Sequence, residues 1–255
     1  LHKAWEYYDE IASRYDYMYE EPYWVLYHML LEKLVSDQNI KGKILDLGTG
    51  TGRWAIKLAE EGADIVAVDP SEKMLSVAKM KARLNDVKIE FINAKGEALP
   101  FENATFDSVL AMGDVISYCE SPQELLLEIN RVLKPEGKFL ATVDNAFAFL
   151  QDFVSNIESR NAEKFLNDRR VLIGDSTVSR IHFHTIPFFP EDIQSLLSET
   201  GFELTDMAGM VVFAPYDEKK LARNLENALI WEYRFCREHQ LFGRAEHLFF
   251  TAMKG

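Results

Sequence analysis

The chain lacks the residues that would make it a cysteine-stapled or membrane-spanning protein. Two cysteines among 255 residues, Cys119 and Cys236, lie too far apart for a Cys-x-x-Cys pair. A disulfide framework and a zinc knuckle are both excluded on that count. No apolar run approaches the ~20 residues that cross a bilayer, so no membrane partner is expected. Basic residues are also short: 28 Lys and Arg stand against 41 Asp and Glu, a formal net charge of -13. Such a surface repels phosphate backbones, which makes nucleic acid a poor default partner. No charged-then-apolar leader precedes the first helical pattern, so free thiols in a cytoplasmic setting are expected. The chain begins at Leu1 rather than Met, and a few native residues are expected upstream. No spacing of His, Cys, Asp or Glu marks a metal site, and oligomeric state cannot be read.

What is present is an ordinary globular balance, 47% hydrophobic and 27% charged, with strong periodicity. Residues 3–19 are aromatic-rich and read as a short helix and loop, and Pro22 opens a second helix. From Lys43 buried strands alternate with amphipathic helices: strands at 44–47, 65–69, 87–92, 106–112 and 139–143, helices between them, and a turn at Lys134-Pro135-Glu136-Gly137. The beat stops at Asp144. Residues 146–186 read as an insertion of one or two helices and a strand pair. A helix from Pro190, a strand over 202–212 bulged at Gly209, a long helix over 218–240 and a last strand over 248–253 complete the pattern. This predicts one α/β domain over 1–255, a doubly wound, Rossmann-like seven-stranded sheet with helices on both faces. Its parts are an N-terminal helical segment (1–40), the first five strands with their helices (41–145), an insertion (146–186) and the rest of the sheet (187–255).

The first strand runs into Asp46-Leu47-Gly48-Thr49-Gly50-Thr51-Gly52. Glycines at a strand-to-helix turn let backbone approach a ligand closely. The third glycine falls one residue too early for the dinucleotide pattern Gly-x-Gly-x-x-Gly, and Arg53 holds the place that pattern gives to glycine. Asp46, two residues before the first glycine, suits an ammonium-bearing ligand and suits a pyrophosphate badly. Asp69, ending the second strand, is placed to accept hydrogen bonds from both ribose hydroxyls; the competing role is a helix cap ahead of Ser71-Glu72.

Four stretches then carry a family resemblance: ILDLGTGTGRWAIKLAE at 44–60, VAVDPSEKML at 66–75, GEALPFENATFDSVLAMGDV at 96–115 and INRVLKPEGKFLATV at 129–143. The chain resembles the class I S-adenosylmethionine-dependent methyltransferases, in the branch near the ubiquinone and menaquinone biosynthesis enzymes. That resemblance implies strand order 3-2-1-4-5-7-6 with the last strand antiparallel, S-adenosyl-L-methionine as cofactor, and a division into an N-terminal helical lid (1–40), a cofactor-binding core (41–145) and a substrate-side insertion (146–186). It implies that Asp46 helps hold the methionine amino group, that Gly48, Thr49 and Gly50 line the methionine moiety, and that Asp69 binds the ribose. Pro70 and Met74 would pack beside the adenine, and Met112 and Gly113 beside the methyl group. Lys95 stands where the family often has an Asp that takes the adenine amino group. Lysine has no acceptor, so the backbone of Lys95, Gly96 and Glu97, or the Glu97 carboxylate, would have to replace it. Tyr15 is the expected lid tyrosine reaching the cofactor carboxylate, or else part of a packed aromatic face. Asp114 and Tyr118 would face cofactor or acceptor, with ordinary packing the alternative for Tyr118.

The implied reaction is in-line displacement of a methyl group onto a small-molecule acceptor. His182 and His184, at i and i+2 of an expected strand, are candidate bases or acceptor-orienting groups if they are not merely structural. Phe147, Phe149, Phe153, Phe183, Phe188 and Phe189 form either an acceptor pocket or the core that docks the insertion. No Asn-Pro-Pro-Tyr or Asp-Pro-Pro-Tyr motif follows the fourth strand, which lowers the case for base-amino or glutamine methylation. A nicotinamide-dependent oxidoreductase and a non-catalytic binder of the same cofactor are the competing readings.

Overall fold

Alternation within each strand sorts the core onto two faces of one sheet. The computed structural model describes residues 2–255. In β1 (Lys43–Leu47) and β2 (Asp64–Asp69), Leu45, Leu47, Val66 and Val68 enter one apolar cluster, whereas Ile44, Ile65 and Ala67 enter the opposite one. The first cluster is closed by helices Pro122–Val132 and Pro190–Glu199, through Leu125, Leu126, Ile129, Ile193 and Leu197. The second is closed by helices Pro22–Asp37 and Arg53–Glu60, through Leu26, Leu30, Leu34, Trp54 and Leu58. Side chains of that size contribute roughly 1.5–3 kcal/mol each when fully buried.

The remaining strands are β3 (Glu90–Asn93), β4 (Phe106–Ala111), β5 (Leu133–Asp144), β6 (Val171–Ile173), β7 (Phe183–Thr185), β8 (Phe202–Met210) and β9 (His247–Lys254). Seven of them form the sheet β3-β2-β1-β4-β5-β9-β8, in which β9 pairs antiparallel with both neighbours. With the hairpin strands β6 and β7 set aside, this is the expected order 3-2-1-4-5-7-6.

Three expectations need correction. The turn at 134–137 is an excursion inside β5: the pairing jumps from Phe106↔Leu133 to Ser108↔Lys138, with Glu136 at φ 61°. The bulge in β8 falls between Leu204 and Asp206, where the register slips, and Gly209 stays in register with Leu248. The long helix at 218–240 is instead two pieces, Glu218–Leu221 and Leu225–Phe235, followed by a 3-10 turn His239–Arg244. Asn224 breaks it by donating its side-chain amide to the Lys220 carbonyl (2.8 Å).

The insertion holds helices Ala146–Ser155 and Ser159–Asp168 and the hairpin β6–β7, paired Val171↔Thr185 through Ile173↔Phe183. Phe149 and Phe153 pack around Phe165, and Phe147 packs on Phe189. Those aromatics therefore dock the insertion. Phe183 alone of the six candidates reaches the cavity described next.

A cavity at the carboxyl ends of the strands

A cavity of about 380 Å³ opens above the carboxyl ends of β1, β2 and β4. Its walls include Gly48, Gly50, Asp69, Pro70, Met74, Lys95, Gly96, Glu97, Met112 and Gly113. Tyr15, Tyr118 and His184 join them from the N-terminal segment, the turn after β4 and β7. Thirteen of the seventeen residues singled out in the sequence thus converge on one space. Asp46, Thr49, Asp114 and His182 are not among its lining residues.

The loop after β1 is held from behind by two carboxylates. Asp46 is 2% exposed; its Oδ2 accepts from the Thr49 hydroxyl (2.6 Å) and the Ala55 N–H (3.0 Å). The Asp69 carboxylate accepts from the Gly50 N–H and the Ser71 N–H, both at 2.8 Å. Burial pushes both carboxyls up to about 6 despite these bonds. The cap expected of Asp69 goes to Ser71, whose hydroxyl accepts from the Met74 N–H at 3.0 Å. Gly50 and Gly113 adopt positive φ (55° and 79°), and a Cβ on either would meet nothing within 4 Å. Bare backbone therefore faces the cavity at both places.

Lys95 does not pair with Glu97. Its ammonium bonds Glu120 (2.9 Å), which also holds Lys3 (2.6 Å). The Glu97 Oε1 accepts the Glu120 N–H at 2.8 Å, so one of its oxygens is engaged by the protein.

The N-terminal segment covers one side of the cavity. Helix Ala4–Ile11 lays Tyr7 and Tyr8 against Phe183, with ring centroids 5.4 and 5.8 Å apart, and Tyr8 also meets Tyr15 and Tyr118. Asp9 takes hydrogen bonds from the Ser71 hydroxyl (2.8 Å) and the Lys73 N–H (3.2 Å). Asp16 accepts from Thr51 (2.6 Å) and Lys81 (2.8 Å), and Glu10 accepts from Ser179 (2.6 Å). One segment is thereby tied to the glycine loop, to the helix after β2 and to the insertion. The indole Nε1 of Trp5, a lining residue, is buried without a hydrogen-bond partner.

His182 and His184 part company. His182 precedes β7, and its Nε2 bonds the exposed Ser176 hydroxyl (3.1 Å). A strand of three residues is too short to carry both histidines on one face, so only His184 lines the cavity. Asp114 is also displaced from its expected place. It follows Gly113 in a left-handed conformation (φ 62°) and is 5% exposed. It turns toward His247 at the start of β9, with Oδ2 3.0 Å from Nδ1, and Asp144 Oδ1 lies 3.5 Å from the same nitrogen. The Asp144 carboxyl is raised by burial and by Asp114; His247 is raised because the two carboxylates outweigh its burial. His247 and Asp144 were not picked out in the sequence. Only a pairing register joining Asp144 to a residue a hundred positions on could have shown them.

Comparison with known proteins agrees with this arrangement. A methyltransferase domain family matches residues 44–137. The chain is 30% identical over 175 residues to an uncharacterised protein of Methanocaldococcus jannaschii, covering 68% of this chain and 78% of the relative. It is 26% identical over 203 residues to a ubiquinone biosynthesis O-methyltransferase of Rickettsia canadensis (77% and 78% covered). It is also 26% identical over 220 residues to a tRNA 5-carboxymethoxyuridine methyltransferase of Escherichia coli (84% and 80% covered). A crystal structure of a protein from Pyrococcus horikoshii shares the fold, with TM-score 0.61 at 21% identity and 89% of each chain covered.

The sheet order and the strand-end cavity define a Rossmann-like enzyme fold. The chain belongs to the class I S-adenosylmethionine-dependent methyltransferases. Its cofactor is S-adenosylmethionine, and the nicotinamide reading is set aside. No helix among the described residues is long and apolar enough to cross a membrane.

Proposed function

We propose that this enzyme methylates a small-molecule acceptor bound in the cavity between the glycine loop and the β6–β7 hairpin. This reading rests on the size of the cavity. Tyr8 and Tyr15 of the N-terminal segment bound it on one side, and its volume of about 380 Å³, which the cofactor must share, leaves room for a small acceptor only. The charge of -13 supports the same reading. The relatives act on acceptors of different kinds by their names, so membership alone does not choose one.

The residues fit the cofactor. Asp69 keeps acceptor capacity beyond its two backbone bonds, enough for the ribose hydroxyls. The backbone at Gly48 and Gly50 would hold the methionine moiety, with Thr49 shaping the loop from behind through Asp46. Asp46 would act on the amino group through that loop, and Tyr15 would meet the cofactor carboxylate. Pro70 and Met74 would flank the adenine, and the backbone of Lys95, Gly96 and Glu97 would pair with its edge. The unpartnered Trp5 N–H is a further donor available to a ligand in this cavity. When bound, S-adenosylmethionine supplies an electrophilic methyl group. Met112 and Gly113 hold the reacting end in place, Tyr118 and Phe183 wall the acceptor, and His184 is positioned to take a proton from a hydroxyl acceptor. The lid excludes water around the developing charge. Two unbridged thiols, Cys119 and Cys236, fit a reducing, cytoplasmic setting.

The test is a methyl-transfer screen with labelled cofactor against metabolite extract and, separately, total tRNA. Label in a small-molecule fraction is expected. Label confined to RNA would overturn the acceptor assignment.

A further inference from the structure

The ends of β4, β5 and β9 bring together two buried carboxylates and a largely buried histidine that the cofactor site does not use. Asp114, Asp144 and His247 each offer one ligand atom, and all three atoms lie within 4.8 Å of one another. Asp114 and Asp144 are 5% and 4% exposed, and neither is paired with a lysine or arginine among the described residues. One imidazole therefore faces two buried carboxylates. With a proton on the imidazole and both carboxylates ionised, the cluster keeps one uncompensated negative charge, which is costly away from water. With a neutral imidazole and a divalent cation the charges cancel.

The geometry points the same way. The 3.0 Å approach of His247 Nδ1 to Asp114 Oδ2 lacks hydrogen-bond alignment, and Nδ1 is buried without a hydrogen-bond partner. The other oxygen of that carboxylate, Asp114 Oδ1, is likewise buried and unpartnered. Two ligands each about 2.1 Å from a metal ion stand about 3.0 Å apart at a right angle and about 3.4 Å apart at the tetrahedral angle. The separations from Nδ1, 3.0 and 3.5 Å, are those of ligands around one ion. Asp144 is already oriented, since its Oδ2 accepts from the Thr185 hydroxyl and leaves Oδ1 toward His247. The rings of Trp24 and Tyr27, centred 5.9 and 5.4 Å from the imidazole, cover the cluster.

We propose that Asp114, Asp144 and His247 form a binding site for one divalent transition-metal ion, behind Gly113 and outside the cavity lining. One nitrogen and two carboxylate ligands favour zinc, manganese or cobalt over magnesium or calcium. Three protein ligands leave a tetrahedral ion one position for water.

The test uses the full-length protein, treated with a chelator and then titrated with Co2+, reading visible absorption and calorimetric heat. One Co2+ per chain is expected, with nitrogen–oxygen d–d bands and no thiolate charge transfer, and with displacement by Zn2+. His247→Gln and Asp144→Asn are expected to weaken binding at least tenfold while still binding S-adenosylhomocysteine. His239→Ala, at an exposed histidine, is expected to leave metal binding unchanged. Where a variant fails to fold, the wild-type result decides: a stoichiometric rise in melting temperature with Zn2+ supports the site. No stoichiometric binding to the wild type, or binding untouched by both substitutions, would overturn it.

Discussion

Two groups of buried carboxylates sit at the strand ends, and they differ in how the protein satisfies them. On the β1–β2 side, Asp46 and Asp69 accept hydrogen bonds from Thr49, Ala55, Gly50 and Ser71, all within twenty-five residues along the chain. On the β4–β5–β9 side, Asp114 and Asp144 meet His247 without a good hydrogen bond, and one Asp114 oxygen has no partner. The first group is a finished scaffold: the loop is held in shape before any ligand arrives. The second is polar and close-packed without being internally satisfied. In a low-dielectric interior, that contrast separates a group that preorganises backbone from one that waits for a cation.

The largest effect should come from the finished side. Asp69→Ala removes the acceptor for two ribose hydroxyls, and S-adenosylhomocysteine affinity should fall by about 2–3 kcal/mol, on the order of a hundredfold, by calorimetry. Asp46→Ala strips the loop of its internal acceptor and strands the Ala55 N–H, so thermal or urea unfolding should show a loss of about 1–3 kcal/mol. If it instead weakens the cofactor with no loss of stability, Asp46 acts on the ligand and the scaffold description fails.

The pH response comes next. Burial holds the Asp69 carboxyl at about 6, and only the carboxylate accepts from both hydroxyls. Cofactor affinity should therefore fall as pH drops through about 6, and Asp69→Asn should flatten that dependence. On folding the same shift has the opposite sign. A carboxyl raised from 3.8 to about 6 contributes stability that is full below 3.8 and lost as pH rises through about 6. The smallest effect belongs to the lid. Asp16→Ala removes one half-exposed ion pair and one hydroxyl contact, a loss of no more than about 1 kcal/mol. Faster protease cleavage of the N-terminal segment should report it better than melting temperature.

The same contrast explains what could be read in the sequence. The glycine loop, Asp69 and the sheet order were legible because their signals are local: a strand, a turn and a helix within twenty-five residues. The adenine-side segment was legible in position, but the engagement of Lys95 and Glu97 with Glu120 depends on how the loop after β4 packs back on that segment, which no local pattern signals. His182 and His184 were mispaired because period-two reasoning needs a strand longer than Phe183–Thr185. His247 escaped because it becomes Asp144's neighbour only when β9 enters the sheet antiparallel to β5. The helix expected over 218–240 broke at Asn224, where a side chain competed with the backbone for one carbonyl.

Binding of S-adenosylmethionine by the Gly48–Gly52 loop and Asp69 underlies every other role assigned to this cavity. Titration calorimetry of the wild type and Asp69→Ala with S-adenosylhomocysteine, and of the wild type with NAD, tests it most directly. One S-adenosylhomocysteine site per chain, a loss of about a hundredfold in the variant and no heat with NAD are expected. Equal affinity in both proteins, or binding of NAD alone, would contradict it.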